Sequence, residues 1–103
     1  MKAFVTPAAA LSCALLAAPP ASAQDLAARS LAATCANCHG TDGLARGEMK
    51  PLAGMPAERL LALMAGFKSG AEPATVMQQI ARGYSEAQLR LIAGYFAARK
   101  APR

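Results

Sequence analysis

The chain has 103 residues, which leaves room for one small domain and excludes a multidomain enzyme. Hydrophobic residues make up 54% of the sequence, aromatic residues make up only 5%, and tryptophan is absent. This apolar fraction excludes a disordered chain, and the 7 prolines and 8 glycines argue against one long coiled coil. The formal net charge is +5, but the basic residues are not clustered or interleaved with aromatics, so nucleic-acid binding is not expected.

The N-terminal residues 1–23 have the pattern of a secretory signal peptide. Lys2 supplies the positive charge, residues 8–18 form a short apolar run, two prolines end it, and Ala-Ser-Ala at 21–23 is a small-x-small cleavage site. We expect cleavage after Ala23, which places a mature domain of residues 24–103 in the periplasm without a stable membrane span.

Two alternatives remain for this leader. It could stay uncut as an N-terminal anchor, although the apolar run is too short to cross a bilayer as a helix. It could instead be a lipoprotein leader ending at Cys13, but the residues after Cys13 are apolar, unlike a polar tether.

Residues 35–39 read Cys-Ala-Asn-Cys-His, the C-x-x-C-H pattern at which c-type haem is attached. Cysteines three positions apart lie on one side of a helical turn, so both thiols can add to the vinyl groups along one edge of the ring. The histidine that follows can then bind the iron as the proximal ligand. We therefore predict one covalent haem c, attached through Cys35 and Cys38 and ligated by His39.

Other uses of this motif account for its residues less well. A zinc site needs four ligands, but residues 24–103 contain two cysteines and His39, the only histidine of the chain. A thioredoxin-type redox pair is expected in a βαβ context, and no strand-like alternation flanks the motif. A disulfide between Cys35 and Cys38 would leave His39 without a role.

The single histidine excludes ligation by two histidines of one molecule. The sixth position is left to methionine, lysine, another weak donor, water or no ligand. Met64 lies on the apolar stripe of a predicted helix and is assigned to the core. Met49 and Met55 flank Pro51 in a loop soon after His39, and we expect them to pack on the proximal side rather than cross the ring. Met77 is far enough along the chain to reach the opposite face, so we predict it as the axial ligand; otherwise it is an ordinary buried thioether.

The remaining sequence predicts an all-α fold, with three to five helices around the haem. The first helix covers 25–33, the second runs from Pro56 in its first turn to a stop at Gly70, and 74–82 is a short helix or an irregular turn. The last helix begins at Ser85 with a Ser-x-x-Gln capping box.

Gly94 interrupts this last helix, where glycine costs about 1 kcal/mol relative to alanine. We expect the glycine to permit a close contact with Ala28 and Ala32 on the first helix.

Over essentially the whole of residues 24–103, the sequence resembles the class I c-type cytochromes. The matching segments are CANCHG at 35–40, PLAG at 51–54, FKSG at 67–70, Met77, and residues 85–96. The resemblance implies that the first and last helices cross near the haem, that Met77 ligates the iron, and that the backbone carbonyl of Pro51 accepts a hydrogen bond from His39 Nδ1. The residues suited to the helix crossing are Ala28, Gly94 and Tyr95 or Phe96.

Residues 74–85, with the preceding FKSG, are similar to the cytochrome subunit of flavocytochrome c sulfide dehydrogenase. In that family a flavoprotein oxidises sulfide and passes electrons to a c-type haem subunit; some relatives carry two haem domains, so this chain would be a mono-haem version. The resemblance implies one-electron transfer with a flavoprotein partner and no bond chemistry on this chain. The alternatives are a freely diffusing carrier between respiratory complexes and, without Met77 as ligand, a ligand-binding or sensing haem protein.

Two sets of side chains each have two possible roles, one of them beside the haem. The apolar set either walls the ring or packs in the general core, and it comprises Leu52, Leu60, Leu61 and Ile80. The basic set is either solvated surface or a ring around an exposed haem edge that steers an acidic partner, and it comprises Lys50, Lys68, Arg82 and Arg90.

Overall fold

The computed structural model describes residues 2–5 and 22–102; the apolar run of the predicted leader, with Cys13, lies outside these residues. Within the described ranges the secondary structure is helical and no strand occurs, which confirms the all-α prediction. None of the helices in these ranges is long and apolar enough to cross a membrane. The helices are α1 (Ala23–Ala33), α2 (Ala36–His39), a 3-10 turn (Thr41–Gly43), α3 (Ala57–Ser69), α4 (Met77–Arg82) and α5 (Glu86–Ala97).

Helix α1 begins earlier than the sequence predicts. Ser22 caps it: the Ser22 hydroxyl accepts from the Asp25 backbone N–H at 3.1 Å, and the Asp25 carboxylate accepts from the Ser22 N–H at 3.2 Å. This reciprocal capping box satisfies two donors that a helix N-terminus otherwise leaves unpaired. Ser22 therefore belongs both to the predicted cleavage site and to the observed helix cap.

Helix α3 follows its predicted boundaries closely. Pro56 occupies the N-cap position and Gly70 ends the helix in the left-handed conformation, with φ +85°, which glycine adopts without a steric penalty. Leu60 and Met64 are buried, and Leu61 and Phe67 pack partly buried against the same core. The apolar face predicted for this helix is confirmed, as is the core position of Met64.

The C-terminal part of the chain forms two helices. Helix α4 is shorter than residues 74–82, because the backbone at Val76 is not helical (φ −129°) and the helix begins at Met77. Helix α5 has the predicted capping box: the Ser85 hydroxyl accepts from the Gln88 N–H at 3.1 Å, and the Gln88 side-chain oxygen accepts from the Ser85 N–H at 2.9 Å.

The core lies where α5 packs against α1 and α3, with α4 packed on α3. Ala32 of α1 and Ala93 of α5 are the small buried residues of the two helices that were expected to cross. The prediction that Gly94 makes the close contact is wrong: Gly94 is exposed, and no atom lies within 4 Å of the position of a Cβ there. The buried cluster comprises Ala32, Leu60, Met64, Ala81, Leu89, Ile92, Ala93 and Phe96.

The open surroundings of Gly94 predict a stabilising substitution. Gly94→Ala adds a methyl group that meets nothing, and alanine restricts the unfolded backbone and favours helix by about 1 kcal/mol. We expect the melting temperature of the haem-loaded protein to rise by roughly 4–8 °C, measured by circular dichroism. A lower melting temperature would mean that Gly94 does face a neighbouring helix closely.

Candidate functional site

The two cysteines of the motif lie on a continuous helical turn. Cys35 has helical backbone angles (φ −76°, ψ −21°) and precedes α2, and the His39 backbone N–H donates to the Cys35 carbonyl at 2.9 Å. Both thiols are unpaired; Cys35 is half-buried and Cys38 is exposed. Burial raises the pKa of the Cys35 thiol. The thiols are thus available on one turn of helix.

The imidazole of His39 is fixed by a backbone carbonyl. His39 Nδ1 lies 2.7 Å from the carbonyl oxygen of Lys50. A carbonyl can only accept, so Nδ1 carries the proton and the lone pair is left on Nε2. This arrangement leaves Nε2 free to bind a metal and makes it a better donor.

The prediction that Pro51 supplies this carbonyl is wrong, because the acceptor belongs to Lys50, one residue earlier. The carbonyl is part of the peptide bond between Lys50 and Pro51, so the proline adjoins the acceptor without providing it. A residue before proline is confined mostly to extended backbone, which restricts the direction of the Lys50 carbonyl.

The loop between His39 and α3 is closed on itself and tied to α5. The Gly43 carbonyl accepts from the Leu52 N–H at 2.9 Å, and the Gly54 N–H donates to the Phe96 carbonyl at 2.8 Å. Asp42 has a left-handed backbone (φ 55°), and its carboxylate accepts from the Tyr95 hydroxyl at 2.6 Å. These contacts hold the loop that carries the Lys50 carbonyl.

The hydrogen bond to Asp42 also affects the ionisation of Tyr95. Tyr95 donates its proton to the Asp42 carboxylate, and this bond is the largest cause of the raised pKa of the Tyr95 phenol. Arg99 lies over the Tyr95 ring, with its guanidinium carbon 4.4 Å from the ring centroid. The phenol is therefore held neutral as a donor to the loop.

Two glycines of this loop provide a matched test of its packing. Gly43 (φ +75°) has the Ala53 backbone nitrogen 2.7 Å and Phe96 Cδ1 2.9 Å from its Cβ position, whereas Gly47 (φ +65°) has nothing within 4 Å. A residue other than glycine pays about 1–2 kcal/mol for a left-handed backbone. We therefore expect Gly47→Ala to lower the free energy of unfolding, measured with urea, by that amount. Gly43→Ala should lower the free energy of unfolding clearly more, because its methyl group would clash with Ala53 and Phe96. Equal decreases in the two variants would contradict close packing at Gly43.

The four methionines after the motif occupy different environments. Met64 is buried in the core, Met49 is exposed, and Met55 and Met77 are partly buried against the core cluster. Met77 is the first residue of α4. Burial thus assigns Met64 to the protein core, while Met55 and Met77 are only partly buried. That Met77 is the sixth ligand of the iron stays a prediction.

The donor set of the site fits haem better than a bare metal ion. Among the residues that the structure describes, no three His, Cys, Asp or Glu side chains converge as metal ligands, as they would in a structural zinc site. The site offers two thiols and one oriented imidazole. Exposed apolar side chains also occur near Met77 in the sequence, at Val76 and Ile80, and next to Lys50, at Met49. Such side chains suit contact with a flat apolar ring.

The side chains predicted near the haem have varied surroundings. Of the apolar set, Leu60 is buried, Leu52 and Leu61 are partly buried, and Ile80 is exposed. Of the basic set, Lys68 is not simply solvated: its ammonium donates to the Tyr84 carbonyl at 2.6 Å. The sequence did not predict this contact, because a lysine in the last turn of a helix is usually a solvent-exposed charged side chain.

Comparison with known proteins shows similarity to three cytochromes. The chain is 38% identical over 66 residues to the cytochrome subunit of sulfide dehydrogenase from Chlorobaculum tepidum, a match that covers 64% of this chain and 60% of that relative. It is 29% identical over 72 residues to cytochrome c-553 from Desulfomicrobium norvegicum, of which 90% is covered. It is 34% identical over 61 residues to cytochrome c-552 from Acidithiobacillus ferridurans, of which 26% is covered. No family model matches the chain.

Proposed function

Because the chain belongs to the class I c-type cytochromes and carries haem c, we propose that it is an exported one-electron carrier. In this proposal Cys35 and Cys38 hold the haem covalently, and His39 and Met77 hold the iron. The observation that carries the proposal is the hydrogen bond from His39 Nδ1 to the Lys50 carbonyl at 2.7 Å, which leaves Nε2 as the donor next to two unpaired thiols.

The bound haem supplies a one-electron couple, and the protein residues set its conditions. His39 is held in one tautomer by Lys50, which preserves its orientation and basicity. A thioether from Met77 is a soft, weak donor that raises the reduction potential. If His39 and Met77 both hold the iron, no position would be left for a substrate, and the chain would transfer electrons without bond chemistry.

Export is the second part of the proposal. Residues 1–23 act as a signal peptide cleaved after Ala23, and the domain of residues 24–103 acts in the periplasm. Cleavage there removes the Ser22 cap of α1 and leaves Gln24 as the first residue of the helix. The Asp25 carboxylate, near the helix N-terminus, remains to offset the lost cap by its charge.

For the electron donor, we propose a flavoprotein that oxidises sulfide. The support is the 38% identity to the cytochrome subunit of a sulfide dehydrogenase, together with the resemblance of FKSG and residues 74–85 to that type of subunit. Since the match covers 60% of that relative, the activity and partner of the whole relative are proposed for this chain as a mono-haem version.

A second candidate is a freely diffusing carrier between respiratory complexes. The observation that favours it is the similarity to cytochrome c-553, 90% of which is matched by this chain. Both candidates share the same haem site, so the partner distinguishes them and the iron ligands do not.

The distinguishing experiment purifies the tagged, haem-loaded chain from its native cells under gentle conditions. The subunit proposal predicts co-elution with a flavin-containing protein and reduction of the haem by sulfide only when that protein is present. A chain that elutes alone, and that sulfide reduces at the same rate with and without added flavoprotein fraction, would contradict the subunit proposal and favour the diffusing carrier.

A further inference from the structure

Tyr84, between α4 and α5, is anchored at both of its polar ends. Its hydroxyl is hydrogen-bonded to the Thr34 hydroxyl, and its backbone carbonyl accepts from Lys68 Nζ at 2.6 Å. Its ring packs partly buried against the core cluster. One residue therefore connects the end of α1, the end of α3 and the segment that follows α4.

The direction of the hydroxyl bond follows from proton counting. The Thr34 hydroxyl donates to the Leu31 carbonyl at 2.7 Å, so its single proton is committed. Tyr84 must then donate its phenolic proton to Thr34. Thr34 directly precedes Cys35, so this bond ends at the segment that carries the predicted haem thiols and His39.

The hydrogen bond from Lys68 holds Tyr84 from a second helix, α3. A lysine ammonium donating to a carbonyl is a charge-assisted hydrogen bond, stronger than a neutral one. The Lys68 side chain is only 26% exposed, and its Nζ lies 3.5 Å from Glu86 Oε1. Lys68 thus holds the Tyr84 carbonyl from the last turn of α3 while it faces the first turn of α5.

Helix α4 needs such anchors because it is weak by itself. It has 6 residues, and its N-cap Val76 makes no side-chain capping bond. A helix this short is marginal without tertiary contacts. Its two ends are Met77, the proposed iron ligand, and the segment leading to Tyr84.

We infer that Tyr84 and Lys68 are positioning residues, which hold the Met77 segment against the Cys35–His39 segment and so determine how firmly Met77 stays on the iron. The inference rests on the proposed ligation by Met77. An external ligand can bind the iron only when Met77 has left it. Weaker anchoring of α4 raises the population of the state in which Met77 is off the iron, so the apparent affinity for the external ligand increases.

The test is titration of the oxidised, haem-loaded protein with imidazole. Tyr84→Phe keeps the ring and removes only the hydroxyl, and we expect the apparent dissociation constant for imidazole to fall by about threefold to tenfold, the equivalent of one hydrogen bond. Lys68→Met, which keeps the aliphatic stem, should shift it in the same direction. Ser69→Ala is the control: it removes a side-chain hydrogen bond next to Lys68, from the Ser69 hydroxyl to the Gly66 carbonyl at 3.1 Å, and should leave imidazole binding unchanged.

The outcomes separate this inference from the function on which it rests. Met77→Ala should bind imidazole far more tightly than wild type. If it does, and Tyr84→Phe and Lys68→Met bind imidazole like wild type, the positioning role is overturned alone. If Met77→Ala also binds imidazole like wild type, Met77 is not the ligand and both proposals fail. Equal tightening in Tyr84→Phe and Ser69→Ala would indicate general loosening of the fold and would also overturn the inference.

Discussion

Replacing both Cys35 and Cys38 by alanine is expected to give a chain without haem that is largely unfolded. The protein core is small: three of its buried members are Ala32, Ala81 and Ala93, and alanine removes little apolar area from water. A domain of this size buries only about 60–65% of its unfolded surface and is marginal on its own. A covalently held ring adds the apolar surface that the side chains lack.

The measurement combines intact mass with far-ultraviolet circular dichroism after expression in a host that matures c-type cytochromes. The double variant should show the bare polypeptide mass and little helix. A Cys13→Ala control should keep haem and helix, because the proposed cleavage after Ala23 removes Cys13. A double variant that stays helical and unfolds cooperatively would contradict the role of haem in the core.

The second large effect is expected for Met77→Ala. The haem should remain attached, because the proposed bonds to Cys35 and Cys38 and the proposed ligand His39 are untouched. The weak near-infrared sulfur-to-iron band should disappear. The reduced protein should then bind carbon monoxide readily at neutral pH, and its reduction potential should fall, because the thioether that favours ferrous iron is lost.

Two other methionines serve as controls for this prediction. Met49 is exposed, so Met49→Ala should leave the band and the potential unchanged. Met55 is partly buried against the core, so Met55→Ala should reduce stability while the band persists. If the band survives in Met77→Ala and vanishes in Met55→Ala, the iron ligand is Met55 and not Met77.

The parts of the fold that depend on local sequence were predictable. The Ser85–Gln88 capping box and the Gly70 stop are set by residues within a few positions of one another, so the ends of α5 and α3 follow from the sequence. The start of α1 was missed although Ser22 and Asp25 have the same spacing, because Ser22 also fits a cleavage motif.

The errors concern contacts between distant residues. A glycine in a helix suggests a close neighbour, but only the packing of α1 on α5 shows that the space beside Gly94 is open. The acceptor for His39 lies one residue from the predicted one, since a motif identifies the proline and only the folded loop shows that the Lys50 carbonyl faces the ring. Lys68 and Tyr84 are sixteen positions apart, and no periodicity links them.

Covalent haem attachment to the exported chain is tested most directly by the intact mass and optical spectrum of wild-type protein from a maturation-competent host. We expect the mass of the polypeptide from Gln24 plus one haem, with a low-spin spectrum in both oxidation states. A bare polypeptide with two free thiols at Cys35 and Cys38, obtained from a host that attaches haem to a control cytochrome, would contradict it.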